Sequence, residues 1–530
     1  MANKAIFKSW VPQWLILSAI FIALLPIASV LGIYVSGIRS AASYYDVDTI
    51  DIQYSIVIFY LAIAGVFPLE RRFFNFFSSK PYLAGVSIIY VFINLILYKT
   101  SSIGLLFLLR FVGGALSLGF IGIMFNLLFK QFHAQRSRVL GYATFYGALF
   151  STLPFANILD AFVFSYFDFN MIFIFKIFLF LPGIIFLFIN LKKDFDLRIQ
   201  RKIPFVNVDW KSCVLYVSTL MLLAYVLLYG QYYNWFRSLR ITLSSIALVI
   251  MLILFVFRQL KLHRPYIDLS IYKYRNFRIG MLLLIAFYLG KGDMSVASGF
   301  FANSVNLDVY HKGYVMLVNG LGIIVGAGLT ARFIMTGTNI RLIWVTGFGA
   351  LLGFHLSMLS ILSSQAETTD LLIPLFLQGF GNGTLILSIV LFYVSAVPRE
   401  VAFFASVTGV AFRFFTFTAS MALISFMGLQ QKSVHFHSFG NEIQKTNTMV
   451  SNRMQSYKTA LLNRGASDLQ ASAGAKKMLS LAVAKQNDLL FARDYYTYMS
   501  VFIFIVMLLI VLIPRFHFHL RKIGAKLIPL

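Results

Sequence analysis

Apolar runs of about twenty residues recur from one end of this chain to the other. A helix crosses the hydrocarbon core of a bilayer in about 20 apolar residues. Runs of that kind, bounded by charges, Pro or Gly/Asn turns, lie near 14–36, 50–69, 82–98, 103–129, 139–164, 169–191, 210–231, 241–257, 279–302, 313–334, 342–362, 371–395, 401–427 and 497–514. They predict an all-α membrane protein with 14 transmembrane helices. Composition agrees: 59% of the 530 residues are hydrophobic and 12% charged, against about 25% charged in soluble domains. A soluble chain this apolar would expose surface it could not hide, which excludes soluble enzymes, secreted domains and disordered chains. The first run follows only Lys4 and Lys8. It is too long for a cleavable signal and ends at no small-residue cleavage site, so it reads as span 1.

The formal net charge is +26. An even number of spans puts both termini on one side. With that side as the cytoplasm, 27 of the 45 Lys and Arg lie inside, and the short outer loops hold five, Arg39, Lys99, Arg237, Arg240 and Lys312. The excess predicts an inner (plasma) membrane protein with cytoplasmic termini. It accounts for the basic balance without nucleic acid, and no basic, aromatic-interleaved track for a single strand is present. The single cysteine, Cys213, excludes an intrachain disulfide framework and any CxxC site; it reads as a small buried residue.

Enzyme motifs are missing: there is no HExxH, no GxxxxGK[ST] and no GxSxG. Two HxH pairs, His435 with His437 and His517 with His519, are expected on opposite sides of the membrane and cannot share a metal. No metal or cofactor is expected. Without a nucleotide-binding motif, transport would be secondary, driven by an ion gradient.

Two segments interrupt the spans. Residues 258–278 are basic, carry His263-Arg-Pro-Tyr-Ile-Asp268-Leu and are expected along the inner leaflet. Residues 428–496 are polar, with helical stretches expected near Asn452–Leu462 and Ala473–Tyr495, and should project on the outer side.

Several short patterns, in order, carry a family resemblance. Span 2 opens with Asp51-Ile-Gln-Tyr-Ser, continues as Phe59-Tyr60-Leu61-Ala62 and ends at Pro68-Leu69. Span 4 holds Leu109-Arg110-Phe111-Val112-Gly113-Gly114 with Gly119, and Pro265-Tyr-Ile-Asp268-Leu269 precedes span 9. Arg413 sits in Val410-Ala-Phe-Arg-Phe-Phe-Thr, and Ala484-Lys-Gln486 to Asp494 leads into the last span. Together these resemble the 14-span drug:proton antiporter branch of the major facilitator superfamily, over nearly the whole chain. Three places depart from the family pattern. Pro26 stands where span 1 carries an Asp, Asn75 stands where the span 2–3 loop carries one, and Phe155-Ala-Asn157-Ile-Leu-Asp160 replaces the span 5 Gly-Pro run.

The resemblance implies two six-helix bundles plus two inserted helices. The first bundle would cover 1–202, the insert and its cytoplasmic linker 203–278, and the second bundle 279–530, with the outer loop at 428–496. Spans 1, 2, 4, 5, 9, 10, 12 and 13 would line a central cavity.

An ionised side chain at the bilayer centre costs about 2.5–3.5 kcal/mol on the insertion scale, so each one is a functional candidate. Arg110, Asp160, Lys176, Lys291, Asp293, His355 and Arg413 fall within spans. Lys291 is 12 residues past Ile279, about 18 Å into span 9 at 1.5 Å per residue. In an ideal helix Lys291 and Asp293 point roughly 200° apart, so either they face different partners or Gly290 and Gly292 mark an unwound segment, a common transporter device. Asp293 is the expected proton carrier, with Lys291 and Arg413 completing the coupling set. Arg110, Asn319, Gln378, Asn382 and Asp160 are the candidate substrate-cavity residues, although Asn and Gln also join transmembrane helices. His355, on a peripheral span, reads as a satisfied buried histidine.

The expectation is a proton-coupled exporter of amphipathic small molecules working by alternating access, with substrate, protons and the bilayer as partners. The outer loop 428–496 could dock a periplasmic adaptor. A transporter of one metabolite with different coupling, or a non-transporting membrane scaffold, stays open.

Overall fold

A computed structural model describes residues 6–28, 37–70, 79–132, 137–192, 209–292, 294–363, 365–443 and 447–512. Among the described residues, thirteen helices are long and apolar enough to cross a membrane, and the shorter apolar helix at Gln13–Ile27 falls at the first expected span. The protein is thus an all-α, multi-pass membrane protein.

The first helices are α1 (Gln13–Ala28), the short α2 (Ile38–Tyr45), α3 (Thr49–Val66), α4 (Lys80–Lys99), α5 (Ile103–Phe129), α6 (Ser137–Tyr166) and α7 (Met171–Asn190). Then come α8 (Trp210–Tyr232) and α9 (Leu239–Lys261). The remainder are α10 (Arg275–Gly290), α11 (Ser295–Asn303), α12 (Val309–Thr336), α13 (Ile340–Ile361), α14 (Leu372–Ser395), α15 (Ala402–Glu442), α16 (Thr448–Leu462) and α17 (Asp468–Leu512).

Packing sorts the spans into two six-span groups. In the first, α1 packs on α7, α3 on α5, and α4 on α5 and α7. In the second, α12 packs on α14, α13 on α14 and α17, and α10 on α14 and α15. The groups meet along α6 with α12 and along α3 with α15. The tightest seam is α12 with α14. Gly322 and Gly326 on one helix and Gly379 and Gly383 on the other each lie so near the opposite backbone that a Cβ would collide with a carbonyl oxygen. Small residues let membrane helices approach this closely, replacing the hydrophobic drive that lipid removes.

The inserted pair is fastened to both groups. Helix α8 packs on α3 and on α15. Tyr229 donates to Asp51, the Tyr232 hydroxyl to Asp48 Oδ2 at 2.7 Å, and the Tyr54 hydroxyl to the Met221 carbonyl at 3.3 Å. Helix α9 packs on α8 and leaves Leu243, Val249, Ile253 and Phe257 exposed, an apolar face for lipid. The 258–278 segment is tucked in more than its basic composition suggests. Tyr266, Ile267 and Ile271 are buried. Gln259 Oε1 accepts from Tyr266 N at 2.7 Å, and the Tyr266 hydroxyl donates to the Gly65 carbonyl of α3 at 2.8 Å.

The 428–496 region is less a loop than two spans continued. Helix α15 runs on to Glu442 and α17 begins at Asp468, with α16 packed on α17. Lys432 and His435 of α15 pair with Asp488 and Asp494 of α17 at 2.5 and 2.7 Å, and Lys458 of α16 pairs with Asp468 at 2.7 Å. The helices expected near 452–462 and 473–495 are present and longer than the composition alone indicates.

Candidate functional site

The ninth span is broken at its middle. Helix α10 ends at Gly290 and α11 starts at Ser295. Gly292 between them takes φ +65°, the left-handed region that a residue without Cβ enters freely. Asp293, the expected proton carrier, lies outside the described residues.

A helix end inside a membrane leaves carbonyls that need donors. Two side chains supply them. His355 of α13 places Nε2 2.8 Å from the Gly290 carbonyl oxygen, and Gln378 of α14 donates Nε2 to the Lys291 carbonyl at 3.3 Å. Gln378 is itself held: its Oε1 accepts from Asn319 Nδ2 at 2.6 Å and from Asn382 Nδ2 at 2.9 Å. Asn319 Nδ2 also donates to the Leu375 carbonyl at 2.9 Å. Asn319, Gln378 and Asn382, all buried, therefore form one network that ties α12 and α14 to the break. The glycine seam brings α12 and α14 close enough for it, since Gly379 abuts the Asn319 carbonyl.

Below the break, Lys291 and Arg413 meet one aromatic floor. Lys291 Nζ lies 5.3 Å from the Tyr288 ring centre, 5.9 Å from Phe150 and 6.0 Å from Phe417. The Arg413 guanidinium lies 4.8 Å from the Phe414 ring centre and 5.5 Å from Tyr146. Tyr60, Tyr288 and Tyr393 complete its electrostatic surroundings. Both groups of spans contribute. Tyr60 and Tyr146 come from α3 and α6, Tyr288, Tyr393 and Arg413 from α10, α14 and α15. A guanidinium on an aromatic face is favourable, by about 2 kcal/mol when desolvated. Gly409 makes room for the floor, because a Cβ there would collide with the Tyr393 hydroxyl and ring.

Arg110 and Asp160 lie elsewhere. Arg110 is buried in the first group, and its charge acts on Tyr90 of α4 and Lys176 of α7 rather than on the Arg413 floor. Asp160, near the α12 end of the α6–α12 contact, is 2% exposed, and neither carboxylate oxygen meets a donor. Lys312 of α12 is the charge that acts on it from the other group. The tyrosines around Arg413 are the part sequence reasoning misses: among 57 Phe and 27 Tyr none stands out. His355 is buried but only half satisfied: Nε2 holds the break, while Nδ1 meets no partner among the described residues.

Arg71, Arg72, Asn75, His517 and His519 lie outside the described residues. Among the described residues, no group of three or more His, Cys, Asp or Glu could hold a metal ion.

No family model matches the chain. A stretch of 89 residues, 17% of this chain, is 34% identical to the lincomycin resistance protein LmrB of Listeria innocua serovar 6a and spans 19% of that protein's length. Among solved structures, the human organic anion transporter MFSD10 (TETRAN) overlays on 94% of this chain and 100% of its own, with a TM-score of 0.53 and 12% identity. With two packed six-span groups and that overlay over nearly its full length, this chain is a multi-pass membrane protein of the major facilitator fold.

Proposed function

We propose that the chain is a secondary active transporter that exports amphipathic small molecules in exchange for protons by alternating access. The observation that carries this reading is the broken span 9, whose freed carbonyls at Gly290 and Lys291 are held by His355 and Gln378. Interrupted helices at mid-membrane are how secondary transporters build substrate and ion sites. The aromatic floor suits amphipathic cargo, and LmrB is by name a resistance protein. The first bundle, 1–202, and the second, 279–530, would rock about this level, with 203–278 as the bridging insert. Asp293 would carry the proton, with Lys291 and Arg413 answering its charge. The inner membrane with cytoplasmic termini follows from the Lys and Arg count.

The test is proton-driven efflux from vesicles with and without a pH gradient. Asp293→Asn should abolish gradient-driven efflux while the protein remains in the membrane; undiminished efflux removes the coupling assignment.

A second reading, transport of a specific metabolite with different coupling, is favoured by Pro26 in span 1 and by the replaced span 5 run. MFSD10 is by name an organic anion transporter. Flux that is insensitive to the pH gradient selects this reading. The helical arm of 428–496 would dock a periplasmic adaptor. Deleting α16 should then stop transport across a two-membrane envelope and spare transport into vesicles. A scaffold would lose its role with the arm and show no flux in either setting.

A further inference from the structure

Four buried polar side chains gather between the two groups, and no carboxylate among the described residues pairs with the arginine at their centre. Arg413 is 9% exposed, Tyr146 and Tyr288 5%, and Tyr393 2%. Arg413 shares a hydrogen bond with the Tyr146 hydroxyl and makes no ion pair among the described residues. The four are electrostatic neighbours. Buried donors are almost always satisfied, and a guanidinium brings five donors and no acceptor. What would satisfy this set is a group made of acceptors.

We infer that Arg413, with Tyr146, Tyr288 and Tyr393, is the head-group site for an organic anion, a carboxylate or sulfonate whose apolar body lies against Phe150, Phe414 and Phe417. The planar guanidinium matches two oxygens of such a group at once, which an ammonium cannot do. Three hydroxyls can each donate to the remaining lone pairs. Lys291, on the Tyr288 ring at 5.3 Å, adds a second positive charge above the site. The aromatic rings supply the apolar walls that small-molecule sites generally have. A cationic amphipath would meet Arg413 as a like charge. The anion assignment rests on the transporter reading only for its consequence, flux, and not for binding itself.

The test is equilibrium binding to the full-length protein in nanodiscs, with three probes of one shape: 1-naphthaleneacetate, its neutral amide and the corresponding naphthylethylamine. The acetate should bind about tenfold or more tighter than the amide, the worth of a charge-assisted bidentate contact, and the amine weakest. Arg413→Gln should erase the preference, and Arg413→Lys should recover only part of it. Tyr146→Phe and Tyr393→Phe keep ring volume and should weaken the acetate while sparing the amide, which guards against a misfolded arginine variant. Equal binding of the three probes, preference for the amine, absence of acetate binding at millimolar concentration, or acetate preference surviving Arg413→Gln each overturns the assignment. Flux in proteoliposomes separates the two claims. Acetate that binds without gradient-driven flux removes the exporter and leaves the site, whereas flux of the amine alone leaves an exporter and removes the site.

Discussion

His355 Nε2 lies 2.8 Å from the carbonyl oxygen of Gly290, the last residue of α10. The two residues sit on different spans, and the contact closes the gap that the helix break opens. His355 is wholly buried, so no water replaces it cheaply. Leaving a buried carbonyl without a donor costs about 1–3 kcal/mol. His355→Ala should therefore lower the thermal unfolding midpoint of the detergent-solubilised protein by several degrees. His355→Gln, which can still donate, should recover part of the loss. An unchanged midpoint in His355→Ala would mean that the break is held by other groups.

Gly409 and Tyr393 make a second pair that tolerates no added atom. The Tyr393 hydroxyl and ring lie where a Gly409 Cβ would stand. The ring cannot slide away, because Gly280 already presses on the Tyr393 Cβ and Cα. Overpacking of this kind costs about 1–3 kcal/mol. Gly409→Ala should lower the midpoint, and combining it with Tyr393→Leu should cost less than the two changes separately. Strict additivity of the two losses would show that the predicted collision does not govern the site.

The spans were legible because lipid asks for length and apolarity, both written in contiguous sequence. The break in span 9 was legible for a similar reason, since Gly290 and Gly292 flank Lys291 within three positions. The groups that hold the break are not: His355 and Gln378 lie 65 and 87 residues from their acceptors. The packing of α14 on α10, and of α13 on α14, brings them there. Arg110 shows the opposite difficulty. Its span is readable, and the sequence sets it among the cavity residues, but which way its side chain turns depends on α4 and α7. In the 428–496 region, polarity reads as loop because the periodic apolar signal fades. Ion pairs such as Lys432 with Asp488 join α15 to α17 there, and no local pattern records them.

Asp160 and Lys312 face each other across the contact between the two groups. Asp160 is buried with no hydrogen-bond donor, so the nearby cation is its main compensation. Removing one member of a buried charged pair is worse than removing both. Lys312→Met should destabilise the protein by about 1 kcal/mol or more, and adding Asp160→Asn should restore much of that loss. A double variant no more stable than Lys312→Met would show that the two charges do not interact.

Asp209 predicts how acid acts on the inserted pair. It caps α8, its Oδ1 accepting from Ser212 N at 3.1 Å and its Oδ2 from Ser212 Oγ at 2.5 Å, while Arg258 of α9 donates to Oδ1 at 2.8 Å. Burial pushes the carboxyl's pKa up, but the hydrogen bonds from Arg258 and Ser212, with the charge of Arg258, outweigh it and hold the group below the ordinary 3.8. The unfolded chain therefore takes up the proton first as pH falls. The stabilisation is complete above the unfolded value and disappears as pH drops through the folded one. Arg258 is about a third exposed, so solvent screens the ion pair and the charge contributes at most about 1 kcal/mol, while an asparagine would keep the cap. Asp209→Asn should lower the unfolding midpoint at neutral pH, with the difference from the native chain shrinking below about pH 4. Hydrogen exchange at the first turn of α8 should rise in the variant at neutral pH and match the native chain in acid. A difference that persists undiminished in acid would show that shape, not charge, makes Asp209 matter at this junction.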